Sequence, residues 1–388
     1  LPALAYQLER KDMNNTALSN EDEGLWHDDA RILCDVEKVA SVRLSAVANS
    51  IDQDGYYPAD IMGELGQAGA FLPHLKAYGE RFDLAINNMS AISRNCGSTG
   101  FITWCQDVCG LYMELSGNAA LVKRLADHAT GMTFGGTALS NPMKAFTNIE
   151  AMALKANKVE GGYVVSGTLP WVSHIAEGQC CGAIAAIDNS DGSRSHEVFF
   201  LLDIDDQVKL TKCPEFSGME GTSTWALNLN EYFVSDAQII ADPARPFIKK
   251  IRGAFILLQT GWAMGVTQAS IDACREVEVS LGHVNQFLHN RPDELEAELK
   301  DLHARIMQLA KNPYDTSKEH MLDVLDTRAQ CSELSLKASQ SALLHQGARG
   351  YLMKSKPQRL IREAHFVGIV TPAIKHLRWE MAKLMSEG

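Results

Sequence analysis

Gly167-Thr168-Leu169-Pro170-Trp171-Val172-Ser173-His174, with Ala138-Leu139-Ser140-Asn141-Pro142 upstream of it, is the part of the sequence that decides the fold. Residues 135–140 and 163–173 mix β-branched, small and aromatic side chains with polar ones at a period near two, and Glu160-Gly161-Gly162 supplies a turn before the second run. Both runs are expected to be strands. An indole at Trp171 near the hydroxyls of Ser140 and Ser173 offers what a planar isoalloxazine ring needs, an apolar slab against one face and donors along a polar edge. The plainer alternative puts Trp171 in the core of a sheet and the serines in solvent, and spacing by itself favours that one.

The period of two extends from about Met132 to Asp242, through the turn signal Asp188-Asn189-Ser190-Asp191-Gly192-Ser193 and the apolar run Val198-Phe199-Phe200-Leu201-Leu202. Before it, from Gly24 to about Leu125, the spacing is helical. Trp26, Ile32, Leu33 and Val36 recur at three to four, and Pro58 opens Ala59-Asp60-Ile61-Met62-Gly63-Glu64-Leu65 at a favoured first-turn position. Helical spacing returns over roughly 247–281, 293–312, 317–346 and 357–385, broken by Pro292, Pro313 and the Gly347/Gly350 pair. The expected architecture is α+β: an N-terminal helical domain over 1–130, a central antiparallel β domain over 131–245 and a C-terminal four-helix bundle over 246–388.

With 388 residues, 46% of them hydrophobic, the chain can bury two or three packed domains. Its net charge of -12 argues against a nucleic-acid partner, whose affinity would come from clustered cations, and Lys249-Lys250-Ile251-Arg252 reads as a solvated helix face. The nine cysteines are odd in number, and Cys105/Cys109 and Cys180/Cys181 lack histidines at zinc spacing; they read as free thiols in a reducing cytoplasm, with no metal site. Residues 1–25 are interrupted by Glu9, Arg10, Lys11, Asp12, Glu21, Asp22 and Glu23, so neither a signal peptide nor a membrane span is expected. Met13 offers an alternative start, and residues 1–12 are expected as a docked arm. There is no G-x-G-x-x-G, P-loop, H-E-x-x-H or G-x-S-x-G pattern to support nicotinamide, nucleotide, zinc-protease or hydrolase chemistry.

Over nearly its whole length the chain resembles the acyl-CoA dehydrogenase superfamily. Ala138-Leu139-Ser140-Asn141-Pro142 is similar to that family's L-T-E-P, Trp171-Val172-Ser173-His174 to its W-I-T-N, and Gly218-Met219-Glu220-Gly221-Thr222-Ser223-Thr224 to its G-M-R-G-S-x-T. Gly347-Ala348-Arg349-Gly350-Tyr351 and Arg362-Glu363-Ala364 resemble G-G-x-G-Y and R-D-A, in the same order along the chain. The resemblance implies an FAD-binding protein in which Leu139, Ser140 and Thr137 border the flavin, Trp171 and Val172 cover it, and Ser173 approaches its central ring. Gly347 and Gly350 match a turn along a cofactor bound largely by a neighbouring subunit, which implies a homo-oligomer, a dimer or tetramer built on the bundles.

The departures from the family concern its chemistry. Removing a proton alpha to a thioester calls for a carboxylate base. Counted from Arg362-Glu363-Ala364, the family's glutamate falls on Thr371, in Ile369-Val370-Thr371-Pro372, and its alternative position falls on Phe255 when Gly265 is matched to the family's glycine. A threonine cannot take that proton at neutral pH without a partner base. Met143-Lys144-Ala145-Phe146 replaces A-G-S-D, Gly282 falls near a pyrophosphate-binding arginine, Pro292-Asp293 replaces F-Q, and Glu220 replaces an arginine. These changes weaken the case for a CoA-linked substrate and for tightly held FAD, and bring FMN or transiently bound reduced flavin into range.

Superfamily members without the carboxylate include flavin monooxygenases, in which reduced flavin and oxygen oxidise the substrate, and that is the leading expectation here, with a separate flavin reductase as supplier. Thr371 and His365 are the candidate catalytic groups, with Ser173 as a further donor and His174 and His376 behind them, although each histidine reads more simply as a surface or supporting residue. Phe255, Gln259 and Trp262, on one helix face, and Val370 are candidates to line a small-molecule site; a plain core stripe is the simpler reading of the first three. Two other readings stay open: a dehydrogenase with a displaced base such as Glu363, and a catalytically silent scaffold or acyl-binding protein.

Overall fold

The structure is a computed structural model and describes residues 29–189 and 191–386. Trp26 and the arm expected over 1–12 lie outside the described residues. The N-terminal helices are α1 (Asp29–Val39), α2 (Ser45–Gln53), α3 (Ala59–Gln67), α4 (Phe82–Asn95) and α5 (Gly97–Leu115), followed by two short ones, α6 (Ala119–Val122) and α7 (Leu125–Ala129). Pro58 immediately precedes α3, at its cap. Every residue of α5 from Gly97 to Met113 is buried. A helix buried on all sides must lie between layers, and α5 packs against α4, the sheet and the C-terminal helices.

The β domain comprises β1 (Gly135–Thr137), β2 (Leu154–Val159), β3 (Gly162–Val172), β4 (Cys180–Asp188), β5 (Arg194–Asp203), β6 (Lys209–Lys212), β7 (Trp225–Ser235) and β8 (Ile239–Ala241), with helix α8 (Ser140–Phe146) after β1. The strand order is β6-β7-β3-β2-β4-β5-β8, and β1 pairs with β4. The sheet is mixed where an antiparallel one was expected: β1 and β2 both run parallel to β4. The chain leaves β3, passes beyond β2 and returns as β4, so β4 opposes β3 and matches β2. Along β5, Phe199 and Leu201 join the helical core while Val198, Phe200 and Leu202 join a second core across the sheet. Burial on both faces is why that run is continuously apolar.

The expected strand over 135–140 ends early. Beyond Thr137, Ser140 opens α8, because Pro142 has no N–H to continue a ladder but fits a helix's first turn.

The C-terminal part holds α9 (Ala244–Arg275), α10 (Glu278–Asn285), α11 (Pro292–Leu309), α12 (Lys318–Gln346), α13 (Lys356–Ile369) and α14 (Ile374–Ser386). Two expected helices are each two. The span 247–281 breaks after Arg275, and 357–385 breaks over Val370–Ala373, where Pro372 disfavours helical backbone at the residue before it. Among the described residues no helix is long and apolar enough to cross a membrane. The nine cysteines are all free thiols.

Candidate functional site

A cavity of about 820 Å³ opens where the β domain, α5 and the corner between α13 and α14 meet. Strand β3 supplies Trp171 and, just past its end, Ser173. Its pairing with β7 slips between Leu169↔Leu227 and Val172↔Trp225, three residues on β3 against two on β7. The extra residue lies at Pro170-Trp171. Proline cannot donate to the ladder and is confined to such bulges, and a bulge re-aims the side chain beside it. The consequence is a broken alternation: Leu169 and Val172 are buried, whereas Trp171 is 62% exposed beside the cavity, its edge against Phe216 at 6.2 Å between ring centroids. Trp171 is therefore not core of the sheet, as the plainer reading had it.

Thr137, Leu139 and Ser140 line one side. A Cβ at Gly136 would lie 2.6 Å from the Ser173 carbonyl oxygen, so glycine there lets β1 and the end of β3 close together. Three hydroxyl contacts organise the wall. Tyr112 and Thr137 are bonded at 2.9 Å, Ser140 and Thr371 at 2.9 Å, and Ser173 and Thr224 at 2.7 Å. Thr371 thus sits in the gap between α13 and α14, clasped to the start of α8. Its carbonyl accepts a hydrogen bond from the Gln259 amide at 3.0 Å, and Gln259 in turn accepts from Arg328 Nε at 3.0 Å. Arg328 is fully buried and has no carboxylate partner among the described residues; it also donates to Ser332 and, at 2.9 Å, to the Val367 carbonyl in the last turn of α13. Burial pulls its pKa down to about 10, which leaves it a cation at the negative end of that helix.

Carboxylates are scarce here. Among the described residues lining the cavity, Glu150 is the single acid, and the Lys144 ammonium and the Asn141 amide bind it. Partial burial opposes its ionisation, but these two donors hold its carboxyl below the ordinary value. Glu363, the displaced base considered above, is not at the cavity wall. It is 2% exposed and accepts the Gly97 N–H at 3.0 Å, capping α5. Burial raises its pKa to about 7 against the pull of Arg359.

The histidines divide. His365 is exposed and lines the cavity with Val370 and Phe366. His376 also lines it but is 5% exposed, and burial lowers its pKa. His174 points away into the protein: its Nδ1 lies 2.9 Å from the Tyr57 hydroxyl and its Nε2 3.1 Å from Gln106 Oε1. Burial lowers its pKa to about 3, so it is a neutral structural group.

Of the remaining expected site residues, Phe255 lines the cavity, whereas Gln259 and Trp262 are fully buried behind the wall. Trp262 backs the rings of Phe101 and Phe366, at 5.2 and 5.8 Å, and Gln259 holds Thr371 from below. Val172 turns its side chain into the core of the β domain. Gly347 and Gly350 lie in the turn after α12, away from this cavity, with Tyr351, Leu352 and Met353 exposed beside them. Sequence reasoning missed Phe101 and Trp104 on α5 and gave Thr222 and Thr224 no role, although both threonines sit in a motif it had singled out.

No family model matches the chain. It is 23% identical over 361 residues to a mitochondrial isovaleryl-CoA dehydrogenase of Oryza sativa subsp. japonica, covering 88% of each chain. The butyryl-CoA dehydrogenase of Megasphaera elsdenii superposes with a TM-score of 0.80 at 14% identity, covering 96% of this chain and 99% of that one. The dibenzothiophene monooxygenase TdsC of Paenibacillus sp. A11-2 does so with a TM-score of 0.75 at 14% identity, covering 92% and 97%. At such identities the structural likeness is one of fold, and it extends to proteins of both chemistries. Sequence similarity running over 88% of a curated relative, and an arrangement of helices, sheet and bundle shared with butyryl-CoA dehydrogenase, support the acyl-CoA dehydrogenase superfamily for this chain.

Proposed function

We propose that the chain is a flavin-dependent oxidoreductase that oxidises a small organic substrate with reduced flavin and oxygen. The residues fit a flavin: an indole left 62% exposed beside a cavity of about 820 Å³, with only its edge against Phe216, is an apolar slab, and hydroxyls of Ser173, Ser140 and Thr137 surround the space next to it. FAD, or FMN, supplies the redox chemistry when bound. Trp171 would cover one face, Ser173 would meet the central ring, and Thr137, Leu139 and Ser140 would border an edge. Phe101, Trp104, Phe255 and Phe366 give the substrate end an apolar, water-poor wall.

The observation that carries the reading is the Ser140–Thr371 pair. Where the family places a carboxylate base, two hydroxyls are bonded at 2.9 Å; one proton is shared between them and the other is free to be donated. Such a pair can orient and protonate, but it cannot remove a weakly acidic carbon-bound proton at neutral pH. Dehydrogenation of a CoA thioester is the second reading, favoured by the name of the curated relative; it would need Glu150, the acid at the wall, to leave Lys144. The exposed Tyr351-Leu352-Met353 patch at the end of α12 supports a homo-oligomer formed through the bundle, and the nine free thiols support a reducing compartment.

The test is anaerobic and aerobic. Flavin-loaded protein mixed anaerobically with acyl-CoA thioesters of graded length should keep its visible absorbance. Supplied with reduced flavin and labelled oxygen, it should place one labelled atom in an aromatic or heteroaromatic probe. Bleaching by a thioester, with no label incorporated, would reverse the assignment.

A further inference from the structure

We propose that Ser173 is fixed as a hydrogen-bond acceptor toward the cavity, and that the site thereby selects reduced flavin, protonated at N5, over oxidised flavin; this rests on the cavity being a flavin site. The argument is a count of protons. Each hydroxyl carries one. Thr222 Oγ1 donates to the Met219 carbonyl at 2.7 Å, an acceptor that has no proton to give. Thr222 Oγ1 also lies 2.8 Å from Thr224 Oγ1, so Thr224 must be the donor there. Thr224 lies 2.7 Å from Ser173 Oγ, and with its own proton committed it must accept, which leaves Ser173 as the donor. The relay therefore runs one way, from Ser173 through Thr224 and Thr222 to Met219. Ser173 has spent its proton inward and presents lone pairs to the cavity.

The relay is held by backbone. The N–H groups of His174 and Ile175 donate to the carbonyls of Thr222 and Ser223, at 2.8 and 3.2 Å, which sets the spacing of the hydroxyls. Thr222 N–H donates to the same Met219 carbonyl at 3.1 Å, and Thr222 is 2% exposed. The proton sink cannot swing toward solvent. Oxidised flavin offers a bare nitrogen at N5, which would meet the lone pairs of Ser173 unsatisfied, whereas reduced flavin offers an N–H. An unmade polar contact against the cavity wall costs enough to separate the two forms by about tenfold or more. A protein loaded with flavin in its reduced form, and freed of it after oxidation, would gain from that difference.

Anaerobic fluorescence titration with FAD and FMN, oxidised and photoreduced, measures it. The native protein should bind the reduced form at least about tenfold more tightly. Thr222→Val removes the sink, so both orientations of the Thr224–Ser173 pair become available and the ratio should fall toward one. Ser173→Ala should abolish the preference and Ser173→Thr should keep it. Should the Thr222 variant fail to fold, Thr224→Val releases the Ser173 proton directly and should give the same fall. Equal affinity for both redox forms in the native protein, or a ratio untouched by Thr222→Val and Ser173→Ala, overturns the proposal and leaves the flavin site standing. Binding of neither form overturns both.

Discussion

Glu363 is a case where one carboxyl's surroundings decide what it can do. It caps α5 through the Gly97 N–H, and a Cβ at Gly97 would lie 2.7 Å from its carboxyl carbon, so cap and glycine are fitted to one another. Its pKa in the folded chain is raised from the ordinary 4.5 to about 7, chiefly by burial. The folded state therefore holds this proton more tightly than the unfolded state does, and the stability it contributes is fully present below about 4.5 and lost as pH rises to about 7. Chemical denaturation across that window should show native stability falling by about 3 kcal/mol more than that of Glu363→Gln, which keeps the acceptor for Gly97 without titrating. A variant with the same pH slope as the native chain would show that the carboxyl is ionised throughout. The sequence singled out Glu363 by its motif, but nothing in the sequence distinguishes a buried cap from a base, because that depends on which helix end lies opposite.

At the scale of elements, the corner between α13 and α14 makes the site. Pro372 stops α13, and the freed segment carries Val370 and Thr371 to the cavity wall. Periodicity ran through the break because apolar spacing resumes in α14, so a single helix over 357–385 was the natural reading. The brace behind the corner was illegible for another reason: Arg328, Gln259 and Thr371 are far apart in sequence, and a buried arginine on α12 carries no local sign of its role. Arg328→Met removes the cation that caps α13 and leaves the Val367 carbonyl and the Gln259 oxygen without donors. Thermal or chemical unfolding should report a loss of about 2–4 kcal/mol, the cost of stranding buried acceptors. A variant as stable as the native chain would mean that other donors reach those acceptors.

Across the whole molecule, three layers that the sequence separates by period, helical, two-residue, then helical again, meet around one cavity. Their order and content were legible because each period persists over a hundred residues or more. The mixed sheet was not, since strand direction depends on where β4 inserts, beyond β2, and no residue records that. Trp171 was legible as a landmark, and its outward turn was written in the adjacent Pro170, a residue that cannot sit inside a regular ladder. The claim on which the functional account stands is that this indole closes a flavin site. Titration with FAD and FMN, followed by quenching of tryptophan emission, tests it in the native chain and in Trp171→Ala. Saturable binding of one flavin per chain, weakened about tenfold or more when the indole is removed, is the predicted result. No saturable binding, or binding of equal strength without the indole, would contradict it.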